Sequence, residues 1–230
     1  LDELPAKTEI VKKVRLSDME MAFYEALRRK AIEQIESNDE NPLSKQFQVL
    51  AEITKLRQAS CHPQLVDSTL AIESSKLSTF LEIVDELVEN NHRALVFSQF
   101  VSHLSIVRNA LDTKGIQYQY LDGSTPMEKR AKAVKEFQGG AGQLFLISLK
   151  AGGLGLNLTA ADYVIHLDPW WNPAVEDQAS DRAHRIGQTR PVTSYRLVAE
   201  NTIEEKIIRL HATKRELAKS QLEGNEQSAR

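Results

Sequence analysis

Cysteine is nearly missing from this chain: Cys61 stands alone among 230 residues. That excludes an internal disulfide and a cysteine-built zinc cluster, and it suits a reducing compartment. The six histidines are scattered without ligand spacing, so no metal site is expected. An excess of positive charge is missing too. Lys and Arg number 29 against 32 Asp and Glu, a formal net charge of −3. Bulk electrostatics therefore does not advertise a nucleic-acid binder, though a local basic strip remains compatible with this balance. No apolar run approaches the roughly 20 residues that span a bilayer, and the first residues do not resemble a secretory signal. No G-x-x-x-x-G-K-[ST] phosphate loop occurs. A dinucleotide G-x-G-x-x-G also fails, because its third glycine would fall on Leu158.

What is present is a hydrophobic fraction of 41%, enough to bury the core of one large or two small domains. Ile10, Lys12, Val14 and Leu16 alternate as an extended segment. Ser17 is a candidate N-cap, with Glu20 completing a capping box. The helix that follows carries Met21, Leu27, Ala31 and Ile35 and ends near Ser37. After a polar break at Asn38–Pro42, a second amphipathic helix runs through Phe47, Leu50, Ile53 and Leu56.

From Lys76 onward helix and strand alternate. Leu77, Phe80, Leu81, Val84, Leu87 and Val88 form a helical stripe, whose Asp85 and Glu86 read as a solvated face. Strands are expected at Arg93–Phe97, Ile116–Leu121, Gln143–Ile147, Tyr163–Leu167 and Val192–Val198. Between them, Leu104, Val107 and Leu111 mark a helix stopped by Gly115. Another starts with Thr125 as N-cap, Pro126 at N1 and Glu128 at N3. A third spans Pro173–Arg185, a last one begins at Thr202, and the polar tail after Leu222 is expected to be unstructured. This alternation predicts an α/β fold: a parallel sheet covered by helices, with right-handed crossovers.

The stretch from Leu146 to Gln188 holds most of the chemistry. Polar groups at the ends of parallel strands lie where open α/β sheets bind ligands. Gly152, Gly153 and Gly155 allow backbone N–H groups to approach a phosphate or ribose closely; the plain alternative is a tight turn that needs glycine sterically. Arg182 and Arg185 stand three apart, so a continuous helix would place both on one face, converging on one anion. The plain alternative is a solvated helix with an Asp181–Arg185 pair. Asp122, Gly123, Ser124 and Thr125 sit at a helix start whose free N–H groups suit an anion. In Asp168-Pro-Trp-Trp-Asn-Pro173, Trp170 and Trp171 can stack on DNA, pack on a partner, or cap the sheet end. Arg130 is a weaker candidate.

Two blocks carry a family resemblance. Ser148–Leu158, SLKAGGLGLNL, resembles the fifth helicase motif of the Swi/Snf-type ATPases, the DNA-translocating branch of the superfamily 2 helicases. Gln178–Gln188, QASDRAHRIGQ, resembles the sixth, and the resemblance extends through most of the chain. It implies a RecA-like C-terminal helicase lobe at residues 76–200. Residues 1–16 would be an inter-lobe linker, 17–75 a helical accessory insertion and linker, and 201–230 a bracing helix and flexible tail. LRQASCHP, Leu56–Pro63, resembles part of that insertion.

By the same resemblance Arg182 and Arg185 are arginine fingers, and Gln178 orients phosphate or water. Gly153, Gly155 and Asn157 face the nucleotide. Ser98 and Gln99 resemble the fourth motif, and with Gly123, Ser124, Ser148, Lys150 and Trp171 they would meet DNA. The implied cofactors are ATP and Mg2+, shared with an N-terminal lobe that also brings the phosphate loop and acidic box. Partners are double-stranded DNA, that lobe, and a DNA-bound protein as substrate. The resemblance and the opening at Leu1 present the chain as a piece of a longer protein, cytoplasmic or nucleoid if bacterial, nuclear if eukaryotic. Two other readings stay open: a non-catalytic docking lobe, and the lobe of a strand-separating helicase.

Overall fold

The computed structural model describes residues 3–38, 41–151 and 155–228. A first strand, β1 (Lys7–Val14), leads into two helices, α1 (Asp18–Glu36) and α2 (Pro42–Cys61). Next come α3 (Ser75–Glu89), β2 (Ala94–Ser98), α4 (Val101–Lys114), β3 (Tyr118–Leu121) and α5 (Met127–Gln138). The chain closes with β4 (Leu144–Ser148), β5 (Tyr163–His166), α6 (Pro173–Ser180), β6 (Val192–Ala199) and α7 (Ile203–Ser228). The six strands form one parallel sheet in the order β1-β6-β5-β2-β4-β3. This is the helix-covered parallel sheet expected from the alternation, in the RecA-like arrangement that the resemblance implies.

All five residues of β2 and of β4 are buried, because helices cover both faces of the sheet. Leu95, Phe97, Phe145 and Ile147 point to one face, where Ala133 and Phe137 of α5 and Ala179 of α6 meet them. Val96, Leu144, Leu146 and Ile165 point to the other, against Phe80 and Val84 of α3 and Leu104, Val107 and Leu111 of α4. The register pairs Ser98 with Ser148, and both Ile147 with Leu121 and Phe97 with His166. The C-terminal ends of four strands therefore form one rim.

Several local rules hold to the residue. Ser17 caps α1 in a full capping box with Glu20, and Gly115 ends α4 in the left-handed conformation at φ 69°. Others do not. Thr125 is not the cap of α5: its hydroxyl accepts the Asp122 N–H at 3.0 Å, which leaves Pro126 as N-cap. The helix expected to reach Arg185 stops at Ser180, and turns carry the chain through Asp181–Gly187. α7 continues to Ser228, past the point where an unstructured tail was expected; its Glu, Gln, Lys and Ala residues are adequate helix formers. Residues 7–14, read as an extended segment within the linker, are extended as strand β1, on the edge of the sheet beside β6.

α2, α3, α4, α7 and the rim meet around a buried polar cluster. Lys76 of α3 lies 2.5 Å from Glu204 of α7, each side chain about 1% exposed. Burial pulls the Lys76 pKa down, but the Cys61 sulfur and the Glu204 carboxylate pull it further up, so the ammonium stays charged. Glu204 also accepts the Ala199 N–H at 2.9 Å. Removing one partner strands the other charge in a dry interior. Glu204→Leu should thus lower unfolding stability by about 3–5 kcal/mol, whereas Lys76→Met with Glu204→Leu should recover most of it. Urea unfolding of the three chains measures this, and a single variant with an unshifted midpoint contradicts it.

Candidate functional site

Two loops at the rim are built as one piece. The Leu158 N–H donates to the Arg182 carbonyl at 2.9 Å. Arg185 Nη1 donates to the Leu156 carbonyl at 3.2 Å. Gln188, buried, donates through Nε2 to the carbonyls of Thr159, Ala161 and Ala183 at 3.1, 2.8 and 3.0 Å. The loop after β4 and the loop after α6 are thereby locked edge to edge. Gly155 lies in the first at φ 67°, with open space where a Cβ would be; only glycine takes that backbone without strain.

Arg182 and Arg185 are each partly exposed, so neither is sealed inside the sheet packing. The Asp181–Arg185 ion pair of a plain solvated helix is not formed among the described residues; Arg185 turns to Leu156 instead. Burial lowers the Arg182 pKa, the Arg185 charge lowers it further, and Asp181 partly offsets both. Two guanidinium groups close enough to repel are a ready seat for an anion. Gln178 is exposed on α6. Asn157 is exposed beside Gly155, while Gly152 and Gly153 lie outside the described residues.

The expected DNA-facing residues largely gather. Gln99, Asp122, Gly123, Ser124, Ser148 and Lys150 line one cavity of about 320 Å³ at the rim. The buried Ser148 hydroxyl has no hydrogen-bond partner among the described residues, and Lys150 is exposed beside it. Asp122 shapes the loop, accepting from the Ser124 N–H at 2.8 Å and hydroxyl at 2.6 Å. The Ser124 and Tyr120 hydroxyls hold its pKa down at about 2. Arg130 is not a free surface arginine. It donates to the Thr125 carbonyl at 2.7 Å and to those of Asp122 and Gly123 at 3.2 Å, holding that loop from behind. Ser98 stands apart from the cavity: it is buried and gives its hydroxyl to Asp168 at 2.5 Å.

The two tryptophans turn inward. The Arg57 guanidinium of α2 lies 5.4 Å from the Trp170 ring, 5.2 Å from Trp171 and 5.6 Å from Phe100. From α6, Glu176 accepts the Trp170 N–H at 2.8 Å. From α7, His211 donates to the Trp170 carbonyl and Lys214 to that of Trp171. Trp171 thus has a packing partner on α2. Sequence reading missed Arg57 and Glu176, since neither sits in a spacing that signals chemistry. His184 is hydrogen-bonded at 2.7 Å to the Pro5 carbonyl.

Cys61, His103 and Asp168 bring donor atoms within 4.8 Å of one another. The Lys76 ammonium lies 3.9 Å from the Cys61 sulfur, and burial raises the Cys61 pKa well above normal. Burial raises the pKa of both Asp168 and Glu204, and the Lys76 charge pulls each back down.

An open parallel sheet with its polar loops at one rim defines a RecA-like lobe. Residues 75–187 match the helicase conserved C-terminal domain and residues 1–65 the SNF2-related domain. The chain is 39% identical over 223 residues to an uncharacterized ATP-dependent helicase of Mycoplasma pneumoniae, covering 96% of this chain and 21% of that protein. It resembles the Sulfolobus solfataricus SWI2/SNF2 ATPase C-terminal domain at 30% identity and TM-score 0.77, covering 91% and 86% of the two chains. The core of that ATPase, in complex with double-stranded DNA, gives 32% identity and TM-score 0.80 over 94% of this chain and 46% of that one. The chain belongs to the SWI2/SNF2 family of helicase-like ATPases and is its C-terminal lobe. It spans about a fifth of the length of the curated relatives it matches. No helix among the described residues is long and apolar enough to cross a membrane.

Glu176 supplies a test by pH. It is fully buried against Arg196 at 2.6 Å, and burial raises its pKa from 4.5 to about 7 despite that arginine. Between those values the folded chain holds a proton that the unfolded chain has lost, so this group's contribution to stability falls as pH rises through the window. Glu176→Gln removes that slope, a difference on the order of 3 kcal/mol at most across the window. His103 and His166, both held down to about 3 by burial, act oppositely but are common to both proteins. Unfolding free energies at intervals from pH 4.5 to 7.5 measure the effect; parallel curves for the two proteins would contradict it.

Proposed function

We propose that this lobe is the second half of an ATP-driven translocase on duplex DNA. The observation that carries the reading is the joint construction of the Gly155 loop and the Arg182–Arg185 loop, with both arginines partly open to the outside. Phosphoryl transfer needs little covalent help from protein and much neutralisation of charge on the transferred phosphate, for which an inserted arginine can supply on the order of 10³–10⁵ in rate. Arg182 and Arg185 would do this on a nucleotide bound by the partner lobe. Gly155 and Asn157, with Gly153, would offer backbone and amide groups to the same nucleotide, and Gln178 would orient phosphate or water.

The residues fit one side of such a site only. The orphaned Arg182 Nε is a buried donor suited to an anion. The phosphate loop, the Mg2+ ligands and the catalytic carboxylate would come from the N-terminal lobe; when bound, Mg2+ would neutralise the phosphate oxygens. Gln99, Gly123, Ser124, Ser148 and Lys150 would hold DNA phosphates without reading bases, as suits a motor indifferent to sequence. A structural neighbour of this lobe is an ATPase core in complex with double-stranded DNA, which supports the assignment of partner. Closing the lobes would bring the arginines to the nucleotide, and opening them would advance the DNA-bound side.

Arg185→Ala in the intact protein should cut DNA-stimulated ATP turnover by about 10³-fold or more while leaving the lobe folded, with a stability loss of about 1 kcal/mol from the missing Leu156 bond. Phosphate release with and without duplex DNA measures this, and turnover at the parent rate would refute the role. The 230-residue chain alone should release no phosphate from ATP.

A further inference from the structure

A cavity of about 650 Å³ adjoins the Lys150 cavity and shares Asp122 and Ser124 with it. It runs along β3, the free edge of the sheet, between α4 and α5. Its charges are not balanced. Asp122 is spent on Ser124, Thr125 and Tyr120, the last donating its hydroxyl at 2.6 Å. Glu136 takes Lys132 at 3.8 Å and Gln119 at 3.4 Å. Arg108 and Lys129 have no carboxylate within ion-pair distance among the described residues.

Arg108 is also not a loose surface side chain. Its guanidinium carbon lies 4.0 Å from the centroid of Tyr120 and 5.8 Å from that of Tyr118. The Tyr120 hydroxyl is bonded to Asp122, and Asp122 to Ser124. A short chain of contacts therefore holds the cation at a set place relative to the Lys150 cavity. A guanidinium fixed by stacking loses less freedom when it takes an anion.

Resting on the translocase reading, we infer that the DNA track does not end at Ser124: the backbone of the duplex continues past the 122–125 loop into this groove, where Arg108 and Lys129 each take a phosphate. The chemistry favours a phosphodiester over an acidic peptide. The groove adjoins a rim cavity whose walls include Lys150, Gln99 and the orphaned Ser148 hydroxyl, with Val101 as its apolar side chain. The β3 edge has only four residues, too short to template an added strand well.

The test is the salt dependence of duplex binding by the intact protein, read by fluorescence anisotropy of a labelled duplex over a series of salt concentrations. Arg108→Gln with Lys129→Gln should lower the slope of log affinity against log salt by about 1.8, and Lys150→Gln should lower it by about 0.9. Arg108→Lys, which keeps the charge and loses the stack, should keep the parent slope. If Lys150→Gln flattens the slope and the double variant leaves it as in the parent, the groove is not part of the track, while the translocase reading stands; an acidic-peptide groove would give that result. If neither changes it, both readings of the DNA surface fall. If Arg108→Lys lowers the slope by about 0.9 although the charge is kept, the charge is not what acts and the proposal is overturned.

Discussion

One backbone hydrogen bond, from the Leu158 N–H to the Arg182 carbonyl, organises the functional rim. It joins two loops that are more than twenty residues apart in the chain, and Gln188 reinforces it with three carbonyl contacts at once. An amide whose two N–H groups are shared among three carbonyls, two of the contacts buried, is costly to replace, because the buried carbonyls would be left bare. The clamp also explains why no regular helix is needed to present the arginines. Once α6 ends at Ser180, the position of Arg182 and Arg185 is set by the neighbouring loop rather than by a helical repeat.

Behind the rim, the accessory helices and α7 are attached by polar contacts as much as by apolar ones. Arg57 reaches from α2 to three aromatic rings, and Lys76 and Glu204 pair α3 with α7. Buried charges of this kind add little net stability over an apolar filling of the same shape, because desolvation offsets most of the attraction. Their effect is to penalise any other seating of the helices, since a shift would leave Lys76, Glu204 or Arg57 without its counterpart. The Trp170–Trp171 loop is thereby fixed from α2, α6 and α7 together.

The sheet was legible because buried parallel strands leave continuous apolar runs, as in ALVF and LFLI, and helices between them leave a 3.6-residue stripe. The capping box at Ser17 and the stop at Gly115 were legible because each depends on neighbours within four residues. Thr125 misled for a related reason: its hydroxyl had two available donors, and the Asp122 N–H in the loop won over the helix. The extent of α6 misled because hydrophobic spacing cannot register a loop that supplies a better carbonyl partner for Arg185. β1 could not be read as part of the sheet, since its partner β6 begins at Val192 and only long-range pairing reveals it. Arg57, Glu176 and Arg108 were invisible as a group: each is an ordinary residue on a helix whose meaning lies in what another element places beside it.

The stretch after β4 relates the two halves of the rim. Its beginning, Ser148 and Lys150, faces the cavity shared with Gly123 and Ser124, while its end, Leu156 and Leu158, is bonded to the arginine loop. Both ends are anchored, the first by the Leu149 N–H donating to the Ser98 carbonyl at 2.9 Å. Ser98 is in turn bonded to Asp168, at the head of the tryptophan loop. A nucleotide drawing on Arg182 and Arg185 and a phosphate drawing on Lys150 would therefore pull on the same short piece of backbone. Each described end of that piece is thus tied to a neighbouring element, Ser98 on one side and the arginine loop on the other. On the proposed function, each contact set is carried by the sheet element it is bonded to, so the stroke arises where this lobe turns against the other.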